Sequence, residues 1–146
     1  MIRRILIAAA FFAAAALPLS SSAQTTLRDL APADEYFGRL KISVLGIANM
    51  IRDADARIAS SPMAIEHEFD GTLAFATDAI HAWETKYPHD PWISKSLLAL
   101  SRTYMHAGSP RGWQLANATV EWLAHDYPGS PAARAAERDL AEAPHR

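Results

Sequence analysis

Residues 87–131 read YPHDPWISKSLLALSRTYMHAGSPRGWQLANATVEWLAHDYPGSP. The stretch begins and ends on one device: Tyr87-Pro88-His89-Asp90-Pro91 returns as Tyr127-Pro128-Gly129-Ser130-Pro131, at an offset of 40 residues. Each copy stops one helix and starts the next. Proline lacks the N–H that continues a helix and its ring collides with the preceding turn, yet it fits the first helical position. Asp90 and Ser130 stand at the N-cap, where a side-chain oxygen accepts an orphan backbone N–H. Between the devices Ile93, Leu97, Leu100 and Tyr104 recur at helical spacing, as do Trp113, Ala116, Val120, Leu123 and Tyr127. Two amphipathic helices follow, parted by Gly108 and the Ser109-Pro110 restart.

The same reading extends outward. A second helix is predicted from Pro62 to about Tyr87, with the stripe Ile65, Phe69, Leu73, Ala76, Ile80, Trp83 and Tyr87. Gly71 falls on its opposite face and costs about 1 kcal/mol against alanine, which a helix of this length absorbs. A first helix is predicted from about Ala33 to Ala59, after Pro32, with Phe37, Leu40, Val44, Ile47, Ile51, Ala54 and Ile58 on one face. A short fifth helix runs from Ala132 to about Ala141, and His145 and Arg146 fray beyond it. No run of alternating β-branched residues bounded by Asn-Gly or Asp-Gly signals a strand. The expected fold is all-α: about five helices in antiparallel hairpins, stacked as a short solenoid.

The 40-residue offset also aligns Phe75 with Leu115, Ala76 with Ala116, Ile80 with Val120, Trp83 with Leu123 and Leu100 with Leu140. A period of this length with paired helices marks a helical repeat. The small alanine lets two helices approach, and the larger residues after it fill the gap to the next helix. At residues 93–128 the chain resembles the tetratricopeptide repeat (TPR). Leu97, Leu100, Ser101, Tyr104 and Gly108 occupy first-helix positions of that pattern, and Ala116, Val120, Leu123 and Pro128 second-helix positions. It departs by about three inserted residues near Ser109 to Arg111, and by Val120 and Leu123 where an aromatic and alanine are usual. The Tyr-Pro ends are similar to those of bacterial cell-envelope members. The alternative without a family relation is a plain antiparallel bundle. The resemblance implies a protein or peptide partner held along the first helix of each pair. Its groove-facing positions are Lys95, Leu98, Arg102 and Met105. Lys95 and Arg102 would meet carboxylates of an extended partner, and Leu98 and Met105 would give adaptable apolar contact.

Composition agrees with one globular domain: 146 residues, 50% hydrophobic and 21% charged. The net charge of −2 argues against nucleic acid as partner, because phosphate neutralisation needs a clustered basic excess. The absence of cysteine excludes a disulfide framework, a thiolate metal site, a Cys nucleophile and a lipidated N-terminal Cys. Residues 1–23 read as a secretory signal peptide. Arg3 and Arg4 are its basic start, Ile5 to Leu17 its apolar run, and Ser21-Ser22-Ala23 its cleavage site, with the cut after Ala23. As a helix that run rises about 20 Å, short of the roughly 30 Å hydrocarbon core. An uncleaved anchor is the alternative. The expected organisation is a leader over 1–23, a flexible segment over 24–32 and the helical domain over 33–143, periplasmic or secreted, with no membrane span after cleavage.

Candidate chemistry was sought among six histidines and four tryptophans. His67, Asp70, Asp78 and His81 fall in one sector of the second helix and are proper metal ligands by type. The sector lies opposite the apolar stripe, and two distant pairs cannot share one ion without a covering helix. A solvated polar face is the preferred reading and no metal is expected. The Met105-His106 pair is read as a helix C-terminus interacting with the dipole rather than as a haem or copper ligand set. Trp83 and Trp113 are expected in the core. Trp92 and Trp122, off the stripes, are expected to pack between repeats, with half-exposed anchoring of a partner as the alternative. Ile42 and Leu45, near Asn49 and Arg52, mark either a contact surface or a second buried face. No Gly-x-Ser-x-Gly elbow and no phosphate-cradling glycine loop is present. The expectation is a protein-binding scaffold of the cell envelope with no enzymatic activity, no catalytic residue set and no cofactor. Two alternatives are a small metal- or cofactor-binding bundle and a structural subunit of an envelope complex. With barely more than two helix pairs the array is short, which leaves self-association as a way to cover its edge helices.

Overall fold

A computed structural model describes residues 28–143. The expected leader over 1–23 and the frayed His145 and Arg146 lie outside the described residues. The elements are β1 (Tyr36–Phe37), β2 (Ile42–Ser43), α1 (Val44–Ser60), one 3-10 turn (Pro62–Ala64), α2 (Ile65–Asp70), α3 (Thr72–Lys86), α4 (Pro91–His106), α5 (Pro110–Asp126) and α6 (Pro131–Glu142). The fold is all-α apart from one two-stranded ribbon. Among the described residues no helix is long and apolar enough to cross a membrane.

The two proline devices share a backbone form. Tyr87 N–H donates to the Trp83 carbonyl at 2.8 Å and Tyr127 N–H to the Leu123 carbonyl at 3.0 Å. Asp90 N–H then closes on Tyr87, and Ser130 N–H on Tyr127, both at 3.1 Å. The Asp90 carboxylate accepts from Trp92 N–H, and the Ser130 hydroxyl from Ala133 N–H, both at 3.0 Å. They differ at the third residue of the device. Gly129 is left-handed at φ +71° whereas His89 stays out of that region, so the second turn depends on glycine and the first does not.

These turns fold α4 back on α3 and α6 back on α5. Helix α4 is central: α5 lies along it, and α1 and α6 flank it. The core is contiguous. It holds Ile47, Ile51, Ala54 and Ile58 of α1, Leu73, Ala76, Ile80 and Trp83 of α3, and Ile93, Leu97, Leu100 and Tyr104 of α4. Phe37 of β1, Phe69 of α2, Ala79 of α3, Ala116, Val120 and Leu123 of α5, and Ala132, Ala133 and Ala136 of α6 complete it. Every residue of the predicted α4 stripe is buried.

Three sequence expectations are corrected. First, the first helix starts at Val44, not near Ala33. Residues 36–43 form an antiparallel ribbon pairing Tyr36 with Ser43 and Phe37 with Ile42, and Ser43 caps α1 by accepting from Gly46 N–H at 3.1 Å. The helical spacing of Phe37, Leu40 and Val44 was coincidental. Phe37 stacks on Trp83 at 5.8 Å and meets Tyr87 edge-on at 6.1 Å, while Leu40 is exposed at the ribbon tip. Tertiary contact overrode local pattern. Gly38 explains the tip: its φ is +67°, and a Cβ there would sit 2.9 Å from the Ala79 Cα. Gly38→Ala is expected to lower stability by about 1–2 kcal/mol in urea unfolding; an unchanged midpoint would contradict this close approach.

Second, the second helix is broken at Gly71, whose φ of −108° and ψ of −98° are not helical. Gly71 N–H still donates to His67 at 2.9 Å, and Phe75 N–H to Gly71 at 3.0 Å, so both polar groups of the bend residue remain satisfied. Close to this bend Glu68 is buried, with 3% of its side chain accessible, against Arg57 of α1. Third, Trp113 is half-buried rather than core. The buried face of α5 starts one residue earlier, at Gly112, where a Cβ would lie 2.5 Å from the Tyr104 carbonyl. That close approach turns Trp113 toward the helix edge.

The segment before β1 is fastened to the domain. Ala31 N–H donates to Asp90 Oδ2 at 2.9 Å. Lys86 Nζ donates to Glu35 Oε1 at 2.7 Å, and the Tyr87 hydroxyl to Glu35 Oε2 at 3.2 Å. The Lys86 ammonium beside Glu35 holds that carboxyl below its ordinary range.

Candidate partner-binding trough

Helices α1, α4 and α6 lie side by side with α4 in the middle, and three adjoining depressions run along α4. The middle one, about 410 Å³, has Arg52 and Asp55 of α1 facing Trp92, Lys95, Leu98 and Arg102 of α4. The next, about 480 Å³, lies toward the C-terminus of α4 and is lined by Arg102, Met105, His106, Trp113 and Asp139. The third, about 480 Å³, lies at the other end and includes Leu30, Ala33, Val44, Leu45 and Trp92. Arg102 is common to the first two, and Ala48, Trp92 and Ser96 to the first and third. Together they form one shallow trough.

The structure brings Lys95, Leu98 and Arg102 to the middle depression and Met105 to its neighbour. Their helical spacing accounts for this, since positions three and four apart share a face. Leu98 and Met105 are half-buried against the core, which leaves part of each for contact. The two cations differ. Arg102 Nε donates to Asp139 Oδ2 of α6 at 2.7 Å, so a partner's carboxylate would share this guanidinium with a resident one. Lys95 makes no ion pair among the described residues; its Nζ lies 3.9 Å from the centroid of the Trp92 ring. A cation held over an indole face is attracted by the ring quadrupole and stays available to an anion. Across the trough His106 Nδ1 meets Asp55 Oδ1 at 2.9 Å, joining the end of α4 to α1.

Trp92 and Trp122 part company. Trp122 packs between α5 and α3, stacked on His81 at 3.9 Å with its Nε1 donating to Glu84 Oε2 at 3.0 Å. Trp92 is 53% exposed, which corrects the expectation that both pack between helices. The off-stripe pair divides too: Ile42 packs partly against the core, whereas Leu45 is 71% exposed at the trough's end. Their position off the stripe was the available signal; nothing local told which would be covered.

The His67, Asp70, Asp78 and His81 sector disperses. Asp70 is bound by Arg111, whose guanidinium holds its carboxyl below the ordinary range. Asp78 accepts from Arg39 N–H at 2.8 Å, and His81 stacks on Trp122. The Gly71 bend further separates the two halves. Among the described residues no three His, Asp or Glu side chains converge as they would around a metal ion. Arg111 was not anticipated. It joins α5 to α2 through Glu66 and Asp70 and lies over the Phe69 ring; such a pairing across 41 residues has no local signature.

No protein-family model, no curated protein and no solved structure matches the chain.

Proposed function

We propose that the chain is an exported, TPR-like scaffold that binds an extended protein or peptide segment of the cell envelope along the trough beside α4, and that it performs no chemistry itself. The observation that carries this reading is the alignment of Lys95, Leu98, Arg102 and Met105 along two adjoining depressions that share Arg102, with an exposed tryptophan at the edge. Exposed Trp and Arg beside half-buried aliphatic side chains are the residue types that supply binding energy at protein interfaces. The repeated proline turns and the flanking of α4 by α1 and α6 support the repeat reading, and residues 1–23 support export.

Crosslinking in an envelope extract tests it, with wild type beside the Lys95→Glu/Arg102→Glu double variant. Both side chains are largely exposed and the Arg102–Asp139 pair is a surface one, so the variant should fold with a small loss. The expected result is a discrete crosslinked partner whose yield falls about tenfold in the variant. Equal yields from the two proteins would remove the site assignment.

A further inference from the structure

The N-terminal end of the trough differs from the rest of it. Its walls come from two sources: Leu30 and Ala33 from the segment before the ribbon, and Val44, Leu45 and Trp92 from α1 and α4. The segment lies outside the 40-residue repeat, so this end is not a product of the repeating unit. Resting on the reading of the trough as a peptide site, we propose that this end is a preformed apolar socket. It takes one bulky aliphatic or aromatic side chain of the bound segment, with an acidic residue of the same segment placed next to it on Lys95.

Three observations carry the assignment. The socket wall is tied down before any ligand arrives. Ala31 N–H donates to the buried Asp90 carboxylate, and Glu35 is held by Lys86 and Tyr87. Little order therefore has to be created on binding. The socket is apolar yet open to water, with Leu45 71% and Trp92 53% exposed. Covering those surfaces is favourable, and about 480 Å³ is ample for one side chain.

The third observation is charge. Arg52, Lys95 and Arg102 line the adjoining depression against the single carboxylate of Asp55. Arg52 already pairs with Asp53, Arg102 with Asp139, and Asp55 with His106. Lys95, beside the socket on the Trp92 ring, has no carboxylate partner to give up among the described residues. A partner's acid next to its apolar anchor gains an ion pair there, whereas a basic residue would meet repulsion.

The test uses a random nonapeptide phage library panned on the purified chain, followed by fluorescence anisotropy of the enriched peptides. Wild type is compared with Leu45→Glu, Lys95→Glu, Arg102→Glu and, as a remote control, Met63→Glu. Leu45 is in the first turn of α1, where a carboxylate suits the helix dipole, so Leu45→Glu should retain its fold; circular dichroism checks this. The expected result is an enriched pattern pairing Leu, Ile, Phe or Trp with a nearby Asp or Glu. Leu45→Glu and Lys95→Glu should each weaken binding by about tenfold, and Met63→Glu should leave it unchanged. Peptides that lose binding to Arg102→Glu but not to Leu45→Glu or Lys95→Glu would overturn the socket and leave the trough standing. Failure to enrich any peptide would overturn both.

Discussion

Asp90→Ala is expected to lower the unfolding free energy by about 3–4 kcal/mol, several times the effect of Ser130→Ala at the matching turn. The two residues hold equivalent places in the two Tyr-Pro turns, but they do different amounts of work. Ser130 accepts one N–H, from Ala133, and its loss removes a helix cap worth about 1 kcal/mol. Asp90 is 1% exposed and accepts three. Oδ1 takes Trp92 N–H at 3.0 Å, while Oδ2 takes Trp83 Nε1–H at 3.1 Å and Ala31 N–H at 2.9 Å. Alanine would orphan the indole N–H in the core as well as the cap. It would also release the segment that walls the trough's end. Asp90→Asn should fall between the two, because one of its two positions then presents an N–H to an N–H. Urea unfolding of the three variants measures the order. Equal losses for Asp90→Ala and Ser130→Ala would show that the three-donor arrangement contributes nothing beyond capping.

Arg57→Ala is expected to cost about 3 kcal/mol at neutral pH, through what it leaves behind. Arg57 Nε and Nη2 donate to the two Glu68 oxygens at 2.6 and 2.9 Å, and Nη2 reaches Thr72 Oγ1 at 3.3 Å. Glu68 is 3% accessible while Arg57 is 48% accessible, so removing the arginine strands a buried carboxylate. Glu68→Gln should cost less, because the charge it leaves unpaired is that of Arg57, which is 48% accessible and can be hydrated.

The acid side of the stability curve separates this from simple loss of packing. The hydrogen bonds from Arg57 hold the Glu68 carboxyl below its ordinary value of 4.5, against the opposing effect of burial. A carboxyl lowered in the folded state contributes its full stability above the unfolded value, and loses it as pH falls through the folded one. Wild type should therefore weaken below about pH 4.5. Glu35 and Asp70 are lowered as well and titrate in the same window, but they remain in the variant. The difference between wild type and Arg57→Ala should thus shrink as pH falls, since protonation neutralises the stranded carboxylate. A gap that stays constant from pH 7 to pH 3 would refute the account.

Legibility in the sequence followed the range of the forces. The caps and stops from α4 to α6 were readable because each is settled within a few residues. Pro91, Pro110 and Pro131 set first turns, and Asp90, Ser109 and Ser130 cap them. The start of α1 was misread because Phe37 and Leu40 keep helical spacing by chance, while Phe37 is claimed by Trp83 and Tyr87 about 46–50 residues away. The trough residues on α4 were legible as one face of a helix; the partners of that face were not. Arg102 meets Asp139, and Lys95 lies on Trp92, for reasons that need α6 and the rotamer of an exposed indole.

By itself, then, the sequence determined that the domain is built of helices, most of their boundaries from α3 to α6 and most of the buried stripes, because backbone hydrogen bonding and amphipathic periodicity are local. Tertiary structure alone decided the ribbon at residues 36–43, the bend at Gly71, the burial of Glu68 under Arg57 and the joining of three depressions into one trough. Each of those depends on side chains distant in sequence meeting in space. A buried charge or a half-covered tryptophan is stable only where the partner supplied by another element satisfies it.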